Sequence, residues 1–179
     1  SSMICMALEW EIPIPSLGSQ LFSTLLLRMT VSSSVHNSAG DLDRFCTAQN
    51  AGNPSAIDQA LAELRTGCKR SHWIWFVLPQ LAGLGYSEMA QRYGIAGLDE
   101  ARAYLADPLL RQRLEAVISV IEEQLSQPAQ TLELLMGSEL DAAKTVSSLT
   151  LFEAAGLESA AALLDRIGWR CEPTLEILG

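Results

Sequence analysis

The sequence predicts an all-α fold, in which about nine mostly short helices pack around one long central helix over residues 107–127. Three observations support this prediction. Apolar residues recur at helical spacing, helix-capping residues and prolines precede several of the apolar stripes, and glycines follow them. We find no second segment that could pair with the single strand-like run, and an isolated strand would leave its backbone polar groups unpaired.

Composition narrows the class of protein. The chain has 179 residues, of which 49% are hydrophobic and 18% charged, and this balance argues against a disordered chain. No apolar run approaches the roughly 20 residues of a membrane span, so we expect a soluble, cytoplasmic protein that does not enter membranes. The net charge of −9 opposes binding to duplex nucleic acid. The four cysteines are far apart and are expected to be reduced thiols.

The chain is expected to contain one domain, residues 41–179. Residues 1–28 contain two prolines and an apolar patch without a helical stripe, so we interpret them as a non-native or disordered extension. A signal peptide is the alternative, but Glu9 and Glu11 stand where basic residues are expected. Residues 29–40 are rich in serine and are expected to form a flexible polar leader.

The predicted domain begins with two helices. The first covers residues 41–50. In the second, Asn53 is expected to be the cap and Pro54 the first helical residue, and Gly67 ends the helix. Its apolar stripe consists of Ile57, Ala60, Leu61 and Leu64.

An aromatic segment, residues 72–78, follows and must end near Pro79, because proline disrupts a continuing helix. A short buried helix and a strand are both consistent with its composition, and we favour the helix. A loop with two glycines comes next, over residues 79–85. Ser87 then caps a helix over residues 88–93, and another helix is expected over residues 98–105.

The long helix begins with a cap, Asp107, followed by Pro108. Six apolar residues line one side of it: Leu110, Leu114, Val117, Ile118, Ile121 and Leu125. Further helices are expected over residues 131–136, 139–155, 158–167 and 173–178, separated by glycines.

A long motif, GCKRSHWIWFVLPQLAGLG, occupies residues 67–85 and is called the signature segment below. Shorter pieces follow the same order along the chain: Phe45, Ala48, Gln49, Glu100, Ala101, Tyr104, Leu105, Arg113, Leu114, Asp141, Lys144, Ser147, Ser148, Thr150, Leu151 and Phe152. Together they resemble the bacterial domain of unknown function 1810 family, sometimes mislabelled calpastatin. The resemblance implies a multihelical fold and no established activity. It departs from the family at Asp107, where histidine is usual, and at Ile57, where an aromatic residue is common.

The signature segment concentrates hydrogen-bond donors and aromatic faces beside a glycine loop. Cationic side chains suit phosphate or carboxylate, and an indole suits a planar ring. We therefore expect a small-molecule site for a nucleotide-like or other anionic planar ligand. Its candidate residues are Lys69, Arg70, His72, Trp73, Gln80 and Lys144.

The alternative is that the aromatic residues simply build the core, and that the protein is a non-enzymatic protein–protein interaction module. Trp73 and Trp75 are two positions apart, so a helix would point them in different directions and one of them belongs to the core.

Catalysis is a weaker hypothesis. His72 is the one histidine of the predicted domain, which excludes a two-histidine metal site, and we expect neither a metal nor a cofactor. A catalytic His72 would need a partner such as Asp141, Ser148 or Thr150. Lys144 and Ser148 are four residues apart, a spacing that also allows a serine–lysine nucleophile pair but is common on solvated helices.

Overall fold

The computed structural model describes residues 42–179. The predictions made for residues 1–28 and 29–40 lie outside the described residues. Within residues 42–179 the chain forms ten helices, and its only strand-like pairing is an isolated bridge between Leu81 and Ile95. The predicted all-α fold is confirmed. The helices are α1 Asp43–Asn50, α2 Ala56–Arg65, α3 Ile74–Val77, α4 Glu88–Tyr93, α5 Leu98–Ala106, α6 Pro108–Leu125, α7 Leu132–Met136, α8 Glu139–Ala154, α9 Glu158–Ile167 and α10 Glu172–Leu178.

The start of α2 differs from the prediction. Ser55, and not Asn53, is the N-terminal cap, and its hydroxyl accepts a hydrogen bond from the amide of Asp58. The Ser55 hydroxyl also donates to the Asp58 carboxylate at 2.6 Å. The Ser55 hydroxyl thus satisfies a free amide at the helix end, whereas the side chain of Pro54 has no oxygen that could accept such a bond. Pro54 therefore lies before the helix, after a cis peptide bond.

The aromatic segment forms a helix, as predicted, but only one turn of it. α3 ends at Val77, and Leu78 leaves the helical conformation directly before Pro79. The chain then passes through the glycine loop and returns at Ile95. There the amide of Ala82 donates to the Ile95 carbonyl, and the amide of Ile95 donates to the Gln80 carbonyl.

α6 starts as predicted. The Asp107 carboxylate accepts hydrogen bonds from the amides of Leu109 and Leu110, at 2.9 and 3.0 Å, and Pro108 occupies the first turn. Five of the six predicted stripe residues are buried, and Leu125 is half-buried at the end of the helix.

The prediction of one central helix is not confirmed in that detail. α8 has 16 residues against 18 in α6, and every residue from Thr145 to Phe152 is buried. Five helices contact α8, namely α3, α5, α7, α9 and α10. The segment 145–152 of α8 is thus enclosed on all sides, whereas α6 buries one stripe.

Among the described residues, no helix is both long and apolar enough to cross a lipid bilayer.

Candidate functional site

The first half of the signature segment is held by one carboxylate. Glu63, near the end of α2, accepts hydrogen bonds from the amides of Arg70 and Ser71, from the Ser71 hydroxyl and from the Trp73 indole. Burial alone would raise the pKa of Glu63, but these hydrogen bonds outweigh it and lower the pKa from 4.5 to about 2. Glu63 therefore fixes the course of the chain between the two helices α2 and α3.

This course directs Lys69 into the molecule. Its amide donates to the Leu135 carbonyl at 2.7 Å, and only 8% of the residue is exposed. Its ammonium group lies 2.6 Å from the Asp141 carboxylate, on α8. A buried lysine is costly unless it is paired, so the ion pair explains how this side chain is accommodated.

Lys144 binds the same carboxylate from the next turn of α8. Its ammonium lies 2.9 Å from Asp141 and 4.1 Å from the centre of the Trp75 ring. Lys69 lies 5.4 Å from the centre of the Trp73 ring. We call Lys69, Lys144 and Asp141 the lysine cluster.

The lysine cluster carries excess positive charge. Burial would raise the pKa of Asp141, but the hydrogen bonds from Lys69 and Lys144 outweigh it and hold the pKa below its usual value. Two ammonium groups thus share one carboxylate, which leaves one formal positive charge in a protein whose net charge is −9.

The two tryptophans have different surroundings. Trp73 is 2% exposed and its indole N–H is bound by Glu63, so Trp73 belongs to the core. Trp75 is half-buried and faces Lys144. Of the two indoles, that of Trp75 is the one placed to meet a ligand.

Gln80 lies beside Trp75. Its side-chain amide donates to the Lys144 carbonyl at 3.4 Å. Gln80, Trp75, Leu81 and Tyr93 line a cavity of about 10 Å³, which is about the volume that one water molecule requires. A planar ligand would therefore bind on the surface of this region and not inside it.

Arg70 and His72 point outward. Both are exposed, and no hydrogen bond or ion pair of their side chains occurs among the described residues. The structure thus brings Lys69, Lys144, Trp75 and Gln80 together, and leaves Arg70 and His72 at the surface.

None of the partners that a catalytic His72 would need forms a hydrogen bond with it among the described residues. Asp141 binds the two lysines. The Thr150 hydroxyl donates to the Val146 carbonyl and accepts from the Cys171 amide. The Ser148 hydroxyl is buried and has no hydrogen-bond partner in the described residues, Lys144 included. Neither a histidine dyad nor a serine–lysine pair is formed, and no three metal-binding side chains cluster within residues 42–179.

Sequence reasoning gave no site role to Glu63. It named Trp73 as the candidate tryptophan but left open which of Trp73 and Trp75 belongs to the core. A glutamate near the end of a helix carries no signal of four hydrogen bonds to a segment seven to ten residues later. Trp75 was recognised as aromatic, but its neighbour Lys144 comes from α8, 69 residues away in sequence. Asp141 was recognised as a possible partner of His72, whereas it pairs with lysines.

Comparisons with known proteins identify a family of unknown function and one similar solved structure. The model of a family described as "Protein of unknown function (DUF1810)" matches residues 39–178. A solved structure, that of the conserved hypothetical protein Rv1873 from Mycobacterium tuberculosis, is similar with a TM-score of 0.69 and 39% sequence identity. The similarity covers 77% of this chain and 96% of the mycobacterial chain. No curated protein matches.

Proposed function

We propose that this chain, which belongs to the DUF1810 family of proteins of unknown function, binds a small anion with a planar ring. The ligand would lie beside Lys144 and Trp75. A nucleotide is the representative ligand. One observation supports this function above the others: two lysines converge on a single carboxylate, next to a half-buried indole.

The charge of the lysine cluster suits an anion. Asp141 neutralises one of the two ammonium groups, and Lys144 is the more accessible of the two, with 16% of its side chain exposed against 6% for Lys69. A phosphate or carboxylate oxygen approaching Lys144 would form a charge-assisted hydrogen bond. Lys69 would remain the fixed, buried member of the cluster.

The indole and amide beside Lys144 suit the rest of the ligand. Trp75 offers an aromatic ring next to the bound anion, and a planar base stacks on such a ring. Gln80 contributes a side-chain oxygen that accepts no hydrogen bond from the described residues. Arg70, a further candidate from the signature segment, is exposed and its side chain forms no hydrogen bond or ion pair with any of these described residues.

This role is binding and not catalysis. A catalytic base is characteristically held in position by a hydrogen bond to another protein group. His72 has no such partner among the described residues, so we assign it no catalytic role.

The test is thermal unfolding of the full chain with AMP, adenosine and ribose 5-phosphate. AMP at a hundred times its dissociation constant should stabilise the protein by about 2.7 kcal/mol. Adenosine, which lacks the phosphate, and ribose 5-phosphate, which lacks the ring, should give smaller shifts at equal concentration.

Two variants make the test specific. Lys144→Met should lose most of the AMP shift, whereas Arg102→Gln, which removes a cation with a 58% exposed side chain on α5, should keep it. The proposal fails if none of the three ligands shifts the transition, or if Lys144→Met responds to AMP as the unmodified protein does.

A second candidate is a protein–protein interaction module, which the exposed apolar side chains favour. Leu134 and Leu140, on either side of the turn between α7 and α8, are 58% and 53% exposed, and Ile177 on α10 is 54% exposed. Sedimentation of the full chain at 1 to 100 μM tests the simplest partner, a second copy. Self-association that Leu140→Asp abolishes would support this candidate; a monomer at every concentration would count against a homodimer.

We also infer that the protein is bacterial and that it is located in the cytoplasm. It is supported by the three cysteines of the described residues, Cys46, Cys68 and Cys171, which are free thiols as a reducing compartment would leave them. A mycobacterial protein among the similar structures fits a bacterial source.

A further inference from the structure

A second cleft lies away from the lysine cluster, where the ends of α6 and α9 meet the start of α7. Gly168 ends α9 in the left-handed conformation, with a φ of 89°, and the chain turns there. The next residue, Trp169, is 45% exposed and lines the cleft. The cleft has a volume of about 280 Å³, close to the lower end of small-molecule sites at roughly 300 Å³.

One part of the cleft lining is apolar. Leu125, Leu132 and Ile167 line it together with the Trp169 indole. Leu132 is buried, while Leu125 and Ile167 are half-buried. An exposed tryptophan beside three aliphatic side chains offers a surface for an apolar or aromatic group of a ligand.

The rest of the lining is polar: Gln130, Thr131 and two side chains of opposite charge. Glu133 and Arg166 both face the cleft and both are exposed. Arg166 donates one hydrogen bond to the Leu125 carbonyl at 3.0 Å, which fixes its guanidinium group at the rim. No ion pair among the described residues joins Glu133 to Arg166, and neither forms one with another described residue. Each charge is therefore available to a ligand.

We propose that this cleft binds a small zwitterion with an apolar side group, the chemistry of a free aromatic or aliphatic amino acid. The ammonium group of the ligand would meet Glu133, its carboxylate would meet Arg166, and its side group would lie against Trp169. This assignment uses none of the residues of the lysine cluster and is independent of the proposed nucleotide site.

The probes are L-phenylalanine and two analogues, added to the full ¹⁵N-labelled chain. Phenylalaninamide lacks the carboxylate and N-acetylphenylalanine lacks the ammonium group. The readout is the indole N–H resonance of Trp169, assigned by its loss in Trp169→Phe. Phenylalanine should shift this resonance saturably, and both analogues should bind about fivefold more weakly, the upper end for a partly exposed ion pair.

Matched variants separate the two charges. Glu133→Gln should weaken the binding of phenylalanine about fivefold. It should leave the binding of N-acetylphenylalanine unchanged, because that analogue has no ammonium group to pair with the Glu133 carboxylate. Arg166→Gln should weaken phenylalanine and leave phenylalaninamide unchanged. The Glu133 side chain makes no hydrogen bond to the described residues, so Glu133→Gln is not expected to disturb the fold. The absence of a saturable shift, or equal affinities for the three ligands, would overturn the proposal.

Discussion

At the scale of single residues, carboxylates determine how the signature segment is arranged. Glu63 binds the backbone of residues 70 and 71 and the Trp73 indole, and Asp141 binds the two lysines. Each carboxylate is ionised in the folded state at a pH where it would otherwise begin to protonate, because hydrogen bonds lower its pKa. The stability of the fold is therefore linked to pH through both groups.

Glu63→Gln tests this linkage with a side chain of equal size. The folded pKa of Glu63 is about 2 and its ordinary value is 4.5, so its stabilisation is complete above about pH 5 and is lost as the pH falls towards 2. At pH 7 the variant should be less stable by about 1 kcal/mol, a value that allows for partial solvent screening. Urea unfolding should show similar gaps at pH 7 and pH 5 and a smaller gap at pH 3; a constant gap at all three would contradict the assigned role.

Asp141→Asn tests the lysine cluster. It leaves the buried Lys69 ammonium without its anion, so we expect a loss of about 2 to 3 kcal/mol of unfolding free energy. Lys144→Met should cost under about 1 kcal/mol, because Asp141 keeps Lys69. The double variant Asp141→Asn with Lys69→Met should recover part of the loss in denaturant unfolding. If it recovers nothing, the two residues are not coupled.

At the scale of elements, the turns at helix ends decide how the segments meet. Gly137, between α7 and α8, has a φ of 77°, and a Cβ at this position would lie 3.0 Å from the Lys69 carbonyl oxygen. Glycine is thus required here both by backbone conformation and by the close approach of the signature segment.

Gly137→Ala should therefore destabilise the fold by about 2 kcal/mol, the sum of left-handed strain and the displacement of Lys69. Gly168→Ala is the matched control. Its φ is 89° and nothing lies within 4 Å of an added Cβ, so it should cost only the strain, about 1 kcal/mol. Thermal or urea unfolding of the two variants measures the difference, and equal losses would rule out the contact with Lys69.

Elements with local signals could be predicted, and elements defined by distant contacts could not. The Asp107 cap with Pro108, and the Ser87 cap of α4, were identified because one side chain and the next amides determine them.

The Asn53 prediction was wrong because Ser55, two residues later, offers a reciprocal pair with Asp58. Residues 145–152 of α8 are buried on all sides, so the sequence of this helix shows no single apolar stripe that marks it as the enclosed helix. Lys69 and Asp141 meet although they are 72 positions apart in the sequence.

At the scale of the whole molecule, α8 joins the other elements into one core. Leu149 and Val146 are fully buried in it, and it contacts helices from both halves of the described chain. Loss of packing in α8 should consequently weaken the whole domain and not a single neighbour.

Leu149→Ala should cost about 3 kcal/mol, within the range of fully buried leucine truncations. Leu140→Ala, in the same helix but 53% exposed, should cost under about 0.5 kcal/mol. Urea unfolding followed by both circular dichroism and tryptophan fluorescence should give one coincident transition for each variant. Separate transitions for the two probes would show that α8 does not unite the fold.

The bridge between Leu81 and Ile95 has a consequence for amide hydrogen exchange. Two backbone hydrogen bonds, of 2.8 and 2.9 Å, close the chain at this point, and the residues between them include Tyr86, which is 71% exposed. The amides of Ala82 and Ile95 should exchange with deuterium slowly and at similar rates, since one opening event exposes both. Amides near Tyr86 should exchange sooner. The segment 82–94 would then open to solvent at its tip while its base remains closed beside Trp75 and Gln80.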